Sequence, residues 1–171
     1  REIPLDRQLR LKRGKGNTLI YLVYILIGLL AAVAMLMVYV RLAPLKAAEW
    51  HRPIYPMPQG EYVKADRFLA VRAATEPMAT LTQLDRIATA TPRTVRLAGS
   101  IEGGRITYVT RSRVMRFPDI TTVQVGPDDT LKGFGEQVMS IEGRLRFGKS
   151  DMGVNRARIE GWLRQLNEAQ T

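Results

Sequence analysis

Hydrophobic and polar positions divide this chain into stretches with different rhythms. Residues 18–40, TLIYLVYILIGLLAAVAMLMVYV, have no polar phase and no charged residue. As a helix, these roughly 23 residues extend about 34 Å at ~1.5 Å per residue, enough to cross a hydrocarbon core of ~30 Å. The run holds about a dozen Leu, Ile and Val, each favouring insertion by about 0.3–0.6 kcal/mol. It predicts a transmembrane helix. A cleaved signal peptide is the competing reading, but its apolar core is shorter, about 7–15 residues, and Ala47-Ala48 makes a poor cleavage site.

Beyond the run the pattern changes twice. Residues 41–60 contain Pro44, Pro53, Pro56 and Pro58, a density that disfavours helix and strand and predicts an extended linker lying on the membrane or along a domain. Residues 61–171 have the length of one compact domain. Within it, residues 78–90 place Leu81, Leu84, Ile87 and Ala88 at helical spacing, with Pro77 near the first turn and Pro92 as a stop. Four strand patterns follow at 94–98, 105–117, 120–125 and 138–147, separated by Gly103-Gly104, Pro118-Asp119 and Gly126-Pro127-Asp128-Asp129. A helix over 155–168 carries Ile159, Trp162, Leu163 and Leu166 on one side and Glu160 and Arg164 as an i,i+4 pair on the other.

Two helices flanking four consecutive strands predict an α+β fold. One N-terminal transmembrane helix precedes an antiparallel four-stranded sheet with its helices on one face. In the last strand, Met139, Ile141, Leu145 and Phe147 alternate with Glu142, Arg144 and Arg146. The apolar set belongs under the C-terminal helix, and the charged set is expected on an open face.

Charge refines the topology. The formal net charge is +10. Arg1, Arg7, Arg10, Lys12, Arg13 and Lys15 precede the apolar run, opposed only by Glu2 and Asp6. This basic tail, residues 1–17, is therefore expected in the cytoplasm and in contact with anionic lipid, which places the domain across a bacterial inner membrane in the periplasm. Tyr39 and Trp50 fit an interfacial aromatic belt. The excess charge lies largely outside the folded part, which argues against nucleic acid as a partner. The absence of cysteine excludes disulfides, thiolate nucleophiles and cysteine-bound metals. His51, in Trp50-His51-Arg52, is the one histidine and reads as a polar residue near the membrane surface. No metal site, cofactor or catalytic constellation is predicted; Asp119, Asp128, Asp129, Glu142 and Asp151 follow no metal-loop spacing. Gly133-Phe134-Gly135 lacks the third glycine of a nucleotide fingerprint and reads as loop.

Two clusters remain as candidate anion- or partner-binding groups. Arg111 and Arg113 alternate on one predicted strand and Arg144 and Arg146 on another. If those strands are neighbours, their guanidiniums share a face near Asp119 or Asp151. That arrangement suits either a bound carboxylate or phosphate, or a solvated face of cross-strand ion pairs. The second cluster, Ser150, Asp151 and Asn155 with Arg158 one turn on, opens the last helix. An anion or simple capping would serve its free N–H groups.

Residues 107–158 also carry a pattern. Thr107-Tyr108-Val109-Thr110-Arg111-Ser112, Phe117-Pro118-Asp119 and Thr121-Thr122-Val123 lead to R-x-R-F-G-x-S-D-x-G-V-N-x-x-R, from Arg144 to Arg158. With Val40-Arg41-Leu42-Ala43-Pro44 and Trp50-His51, this resembles the bacterial domain of unknown function 1499, in particular its membrane-anchored alphaproteobacterial form, over about residues 41–166. Residues 130–141 are longer and richer in glycine than the family's return, which leaves the register of the last strand open. The resemblance implies no activity or cofactor. Two functions are expected: a non-enzymatic accessory subunit that contacts a membrane-protein partner through the arginine face, or a binding module for an anionic or amphipathic small molecule or lipid. An enzyme using Asp119 or Asp151 as general base is a third, weaker reading.

Overall fold

The computed structural model describes residues 5–127, 137–150 and 152–170, and side chains from residue 18 to 169 within that range. Contacts divide the chain into two units, residues 1–43 and 44–171.

The first unit is one helix, α1 (Leu5–Leu42). Its segment Thr18–Leu42 is long and apolar enough to cross a membrane, by length and composition. Leu19, Ile20, Tyr21, Leu22 and Val23 are all exposed although they point in successive directions around the axis. A helix that is apolar all round has no face suited to water.

The second unit contains α2 (Ala47–Trp50), β1 (Gly60–Lys64), β2 (Arg67–Ala73), α3 (Pro77–Ala90), β3 (Thr94–Ser100), β4 (Arg105–Arg111), β5 (Pro118–Pro127), β6 (Gln137–Leu145) and α4 (Val154–Gln170). The strands form one antiparallel sheet in the order β1-β2-β6-β5-β4-β3. The sheet therefore has six strands, not the four expected. The two additional strands form a hairpin, and β2 joins β6 from the side away from β5. Their signal was hidden by burial. Phe68 and Ala70 join the core under the helices while Leu69 and Val71 join a second cluster on the far face, so β2 lacks polar alternation.

Both main helices cover one face, as expected. Leu81, Leu84, Ile87 and Ala88 of α3 and Ile159, Trp162 and Leu166 of α4 pack with Ile106, Tyr108, Val123, Met139 and Ile141. Pro77 opens α3, where its missing N–H costs nothing. Glu160 pairs with Arg156 at 2.7 Å rather than with Arg164. Strand β4 ends at Arg111, short of the expected 117. There the Ser112 N–H donates to the Phe117 carbonyl at 2.9 Å and the Phe117 N–H to Ser112 Oγ at 3.0 Å, which closes a turn.

Gly143 sets how closely α4 lies on the sheet. A Cβ there would sit 2.9 Å from Asn155 Cβ and 3.1 Å from Ile159 Cδ1. Gly143→Ala is therefore expected to push α4 outward and cost about 1–3 kcal/mol. Urea unfolding followed by circular dichroism checks this, and an unchanged midpoint would contradict the tight packing.

Candidate functional site

The far face of the sheet is not open. Residues 44–58 run across it as a strap that carries the short helix α2 (Ala47–Trp50) between irregular, proline-containing segments. Arg146 donates to the Pro44 carbonyl at 2.8 Å, and Arg144 donates to the Trp50 carbonyl at 2.8 Å and to Thr122 Oγ1 at 3.1 Å. The Arg144 guanidinium also lies 5.7 Å from the centre of the Trp50 ring. His51 Nδ1 meets Thr107 Oγ1 at 2.9 Å, and Thr107 meets Thr122 at 3.1 Å. The Ile54 N–H donates to Gln124 Oε1 at 3.1 Å. Beyond these bonds, Ile54 and Met57 close over Leu69, Val71 and Val138.

This face is rich in cations. Glu142 is held between Arg67 at 3.4 Å and Arg144 at 3.3 Å. Arg144 is only 8% exposed, so the charged set is covered rather than open as expected. Burial pulls its pKa down, Glu142 opposes that, and Arg52 and Arg67 add to the fall. His51 is held below its ordinary value, first by burial and then by Arg105. The histidine expected near the membrane surface is thus packed on the sheet.

The helix-side face carries a separate cluster. Arg158 donates to Asp119 Oδ2 at 2.8 Å and to Asn155 Oδ1 at 2.7 Å, tying α4 to β5. A second polar group lies nearby: Tyr108 donates to Asp85 Oδ1 at 2.8 Å, and Arg96 holds the other oxygen at 2.5 Å. Burial first, then Asp85, pushes the Tyr108 phenol above its usual range.

The expected arginine cluster does not form. Strand β5 separates β4 from β6, so Arg111 and Arg144 lie on strands that are not neighbours. Arg111 donates to the Arg116 carbonyl at 3.2 Å, and Arg113 is exposed in the turn beyond β4. Asp119, Asn155 and Arg158 come together, while Arg144 and Arg146 hold the strap on the opposite face. Ser150 Oγ accepts from the Met152 N–H at 3.3 Å, a local turn bond. Asp151, Asp128, Asp129 and residues 133–135 lie outside the described residues. Among the described residues, no three His, Asp or Glu side chains gather as a metal site.

Sequence reasoning missed Trp50, Thr107, Thr122 and Gln124 as contact residues of this face. Polar side chains inside strands 105–111 and 118–127 were the available signal, because a buried hydroxyl requires a partner. It also missed a cleft of about 660 Å³ at the end of the sheet nearest the start of α3. Ala73, Ala74, Met139, Leu163 and Leu166 form its apolar wall; Gln59, Arg72, Glu76 and Asn167 add polar groups. Arg72 is held there by Glu61 and by the Gly60 carbonyl at 3.2 Å.

Arg158 and Asp119 have side chains only 11% and 10% exposed. Arg158→Ala removes one member of a buried ion pair, and a loss of about 3–5 kcal/mol is expected. Adding Asp119→Asn removes the other charge and is expected to recover part of that loss. Denaturant midpoints of both single variants and the double variant measure the coupling.

A family model described as "Protein of unknown function (DUF1499)" matches residues 49–166, more than half of the 171-residue chain. No curated protein matches the chain. The match takes in the strap from Glu49 onward, the whole sheet and most of α4, and the chain belongs to the DUF1499 family.

Proposed function

We propose that this protein is a single-span, non-enzymatic binding module that takes an amphipathic small molecule or lipid into the cleft between β2, β6, α3 and α4. The cleft carries this reading. Its volume of about 660 Å³ lies in the range of small-molecule sites, and the half-open cleft combines an apolar wall with a larger polar lining. Arg72, already paired with Glu61, and Glu76 stand among the polar lining, which suits a ligand with a polar head and an apolar body. The basic tail before the apolar run favours a cytoplasmic N-terminus, so the module would stand in the periplasm beside the inner membrane.

The accessory-subunit reading keeps one support. Strand β3 is an outer strand of the sheet, and Val95 on it is 60% exposed, so another protein's strand could add there. The arginines expected to form the contact surface support it less, because Arg111, Arg144 and Arg146, and also Arg158, have internal acceptors, while Arg113 stands exposed in the turn beyond β4.

The test is native mass spectrometry of the full-length protein purified in mild detergent, with extraction of small molecules. Ala73 is exposed at the rim, and Ala73→Trp fills the cleft. The proposal expects an amphipathic molecule bound to the native chain and reduced at least tenfold in the variant, with circular dichroism unchanged. No retained molecule, or equal retention in both, overturns it. A stoichiometric protein partner that survives Ala73→Trp would instead favour the accessory subunit.

A further inference from the structure

We propose that the strap over residues 44–58 is a detachable cover, latched to the sheet by neutral His51 and released when that histidine takes up a proton.

The latch is a small set of bonds over an under-satisfied face. His51 to Thr107 and the Ile54 N–H to Gln124 secure the strap from one side, and Arg144 and Arg146 reach its carbonyls from the other. Beneath and beside it, Trp50 Nε1, Arg67 Nε and Arg105 Nε are buried donors with no acceptor. Each unmade bond weakens the closed state relative to an open one in which water serves the donor.

The His51 ring has little room to adjust. A Cβ on Gly99 would lie 2.7 Å from His51 Cε1, so the ring is pressed against the β3 backbone. Arg105 of β4 is the charged group that acts on the ring; β2, β6, the strap and α2 also carry Arg67, Arg144 with Glu142, Arg52 and Glu49. Arg96 of β3 is engaged by Asp85 of α3. Strand β5 presents uncharged Thr122 and Gln124. Burial and Arg105 leave an added proton unwelcome.

The sign follows from linkage. Docking holds the His51 pKa below its ordinary 6.5. An undocked strap regains the ordinary value, so protons bind the open state more readily. Closure is strongest above about pH 6.5, weakens as pH falls through the gap between the two values, and levels off below the lower one.

Hydrogen–deuterium exchange of the full-length protein in detergent, corrected for intrinsic rates, tests this between pH 7.5 and 5. Strap amides, including that of Ile54, should lose protection by as much as tenfold per unit of pKa gap, while β4, β5 and β6 keep theirs. His51→Gln, which stays neutral, should keep the strap protected at pH 5. Arg105→Gln leaves the ring in place and removes a neighbouring cation, so it should narrow the response. Strap protection independent of pH in the native chain overturns the proposal. So does loss of strap and sheet protection together, or a response unaltered in both variants.

Discussion

A guanidinium buried near the middle of a sheet obliges the surrounding chain to bring acceptors to it. Arg144 is that group. Its partners come from three places: Glu142 on its own strand forms an ion pair with it, and Thr122 on the neighbouring strand and the Trp50 carbonyl from far along the chain accept hydrogen bonds from it. Removing water from such a cation costs several kcal/mol unless pairing and hydrogen bonds replace the lost hydration. The strap supplies both a carbonyl and an aromatic ring, and Arg146 repeats the device at Pro44. The route of residues 44–58 is thus set by two arginines that lie about a hundred residues later.

The motif from Arg144 to Arg158 serves both faces of one sheet. Its first half holds the strap; its second half, through Asn155 and Arg158, fastens α4 to Asp119. Gly143, immediately before the motif, lets the helix approach the strand. This explains why Arg144, Arg146 and Arg158 of the most specific run of the sequence are engaged in bonds within the domain. The cleft lies at another end of the sheet, where residues outside that run face each other.

Local patterns made much of the architecture legible, and long-range coverage concealed the rest. The apolar run, both main helices and the cores of β3 to β6 follow from residues near one another in sequence. The β1–β2 hairpin did not show itself because Phe68 and Leu69 are covered from opposite sides, one by helices and one by the strap. The expected pairing of the arginine strands failed for a topological reason. Three consecutive antiparallel strands form a meander, so the first and third are separated by the second. His51 was misplaced because its partner Thr107 lies 56 residues away. No spacing rule reaches that far.

The strap also imposes an order on assembly. Trp50 is separated from Arg144 by 94 positions and Pro44 from Arg146 by 102. At roughly 5–20 residues per second of synthesis, the segment emerges on the order of ten seconds before its anchors exist. It must wait with Trp50 and Ile54 uncovered and without joining a strand prematurely. Pro53, Pro56 and Pro58 lack the N–H groups that a sheet ladder would need. The prolines keep the first part of the domain to be made available as the last part to be seated.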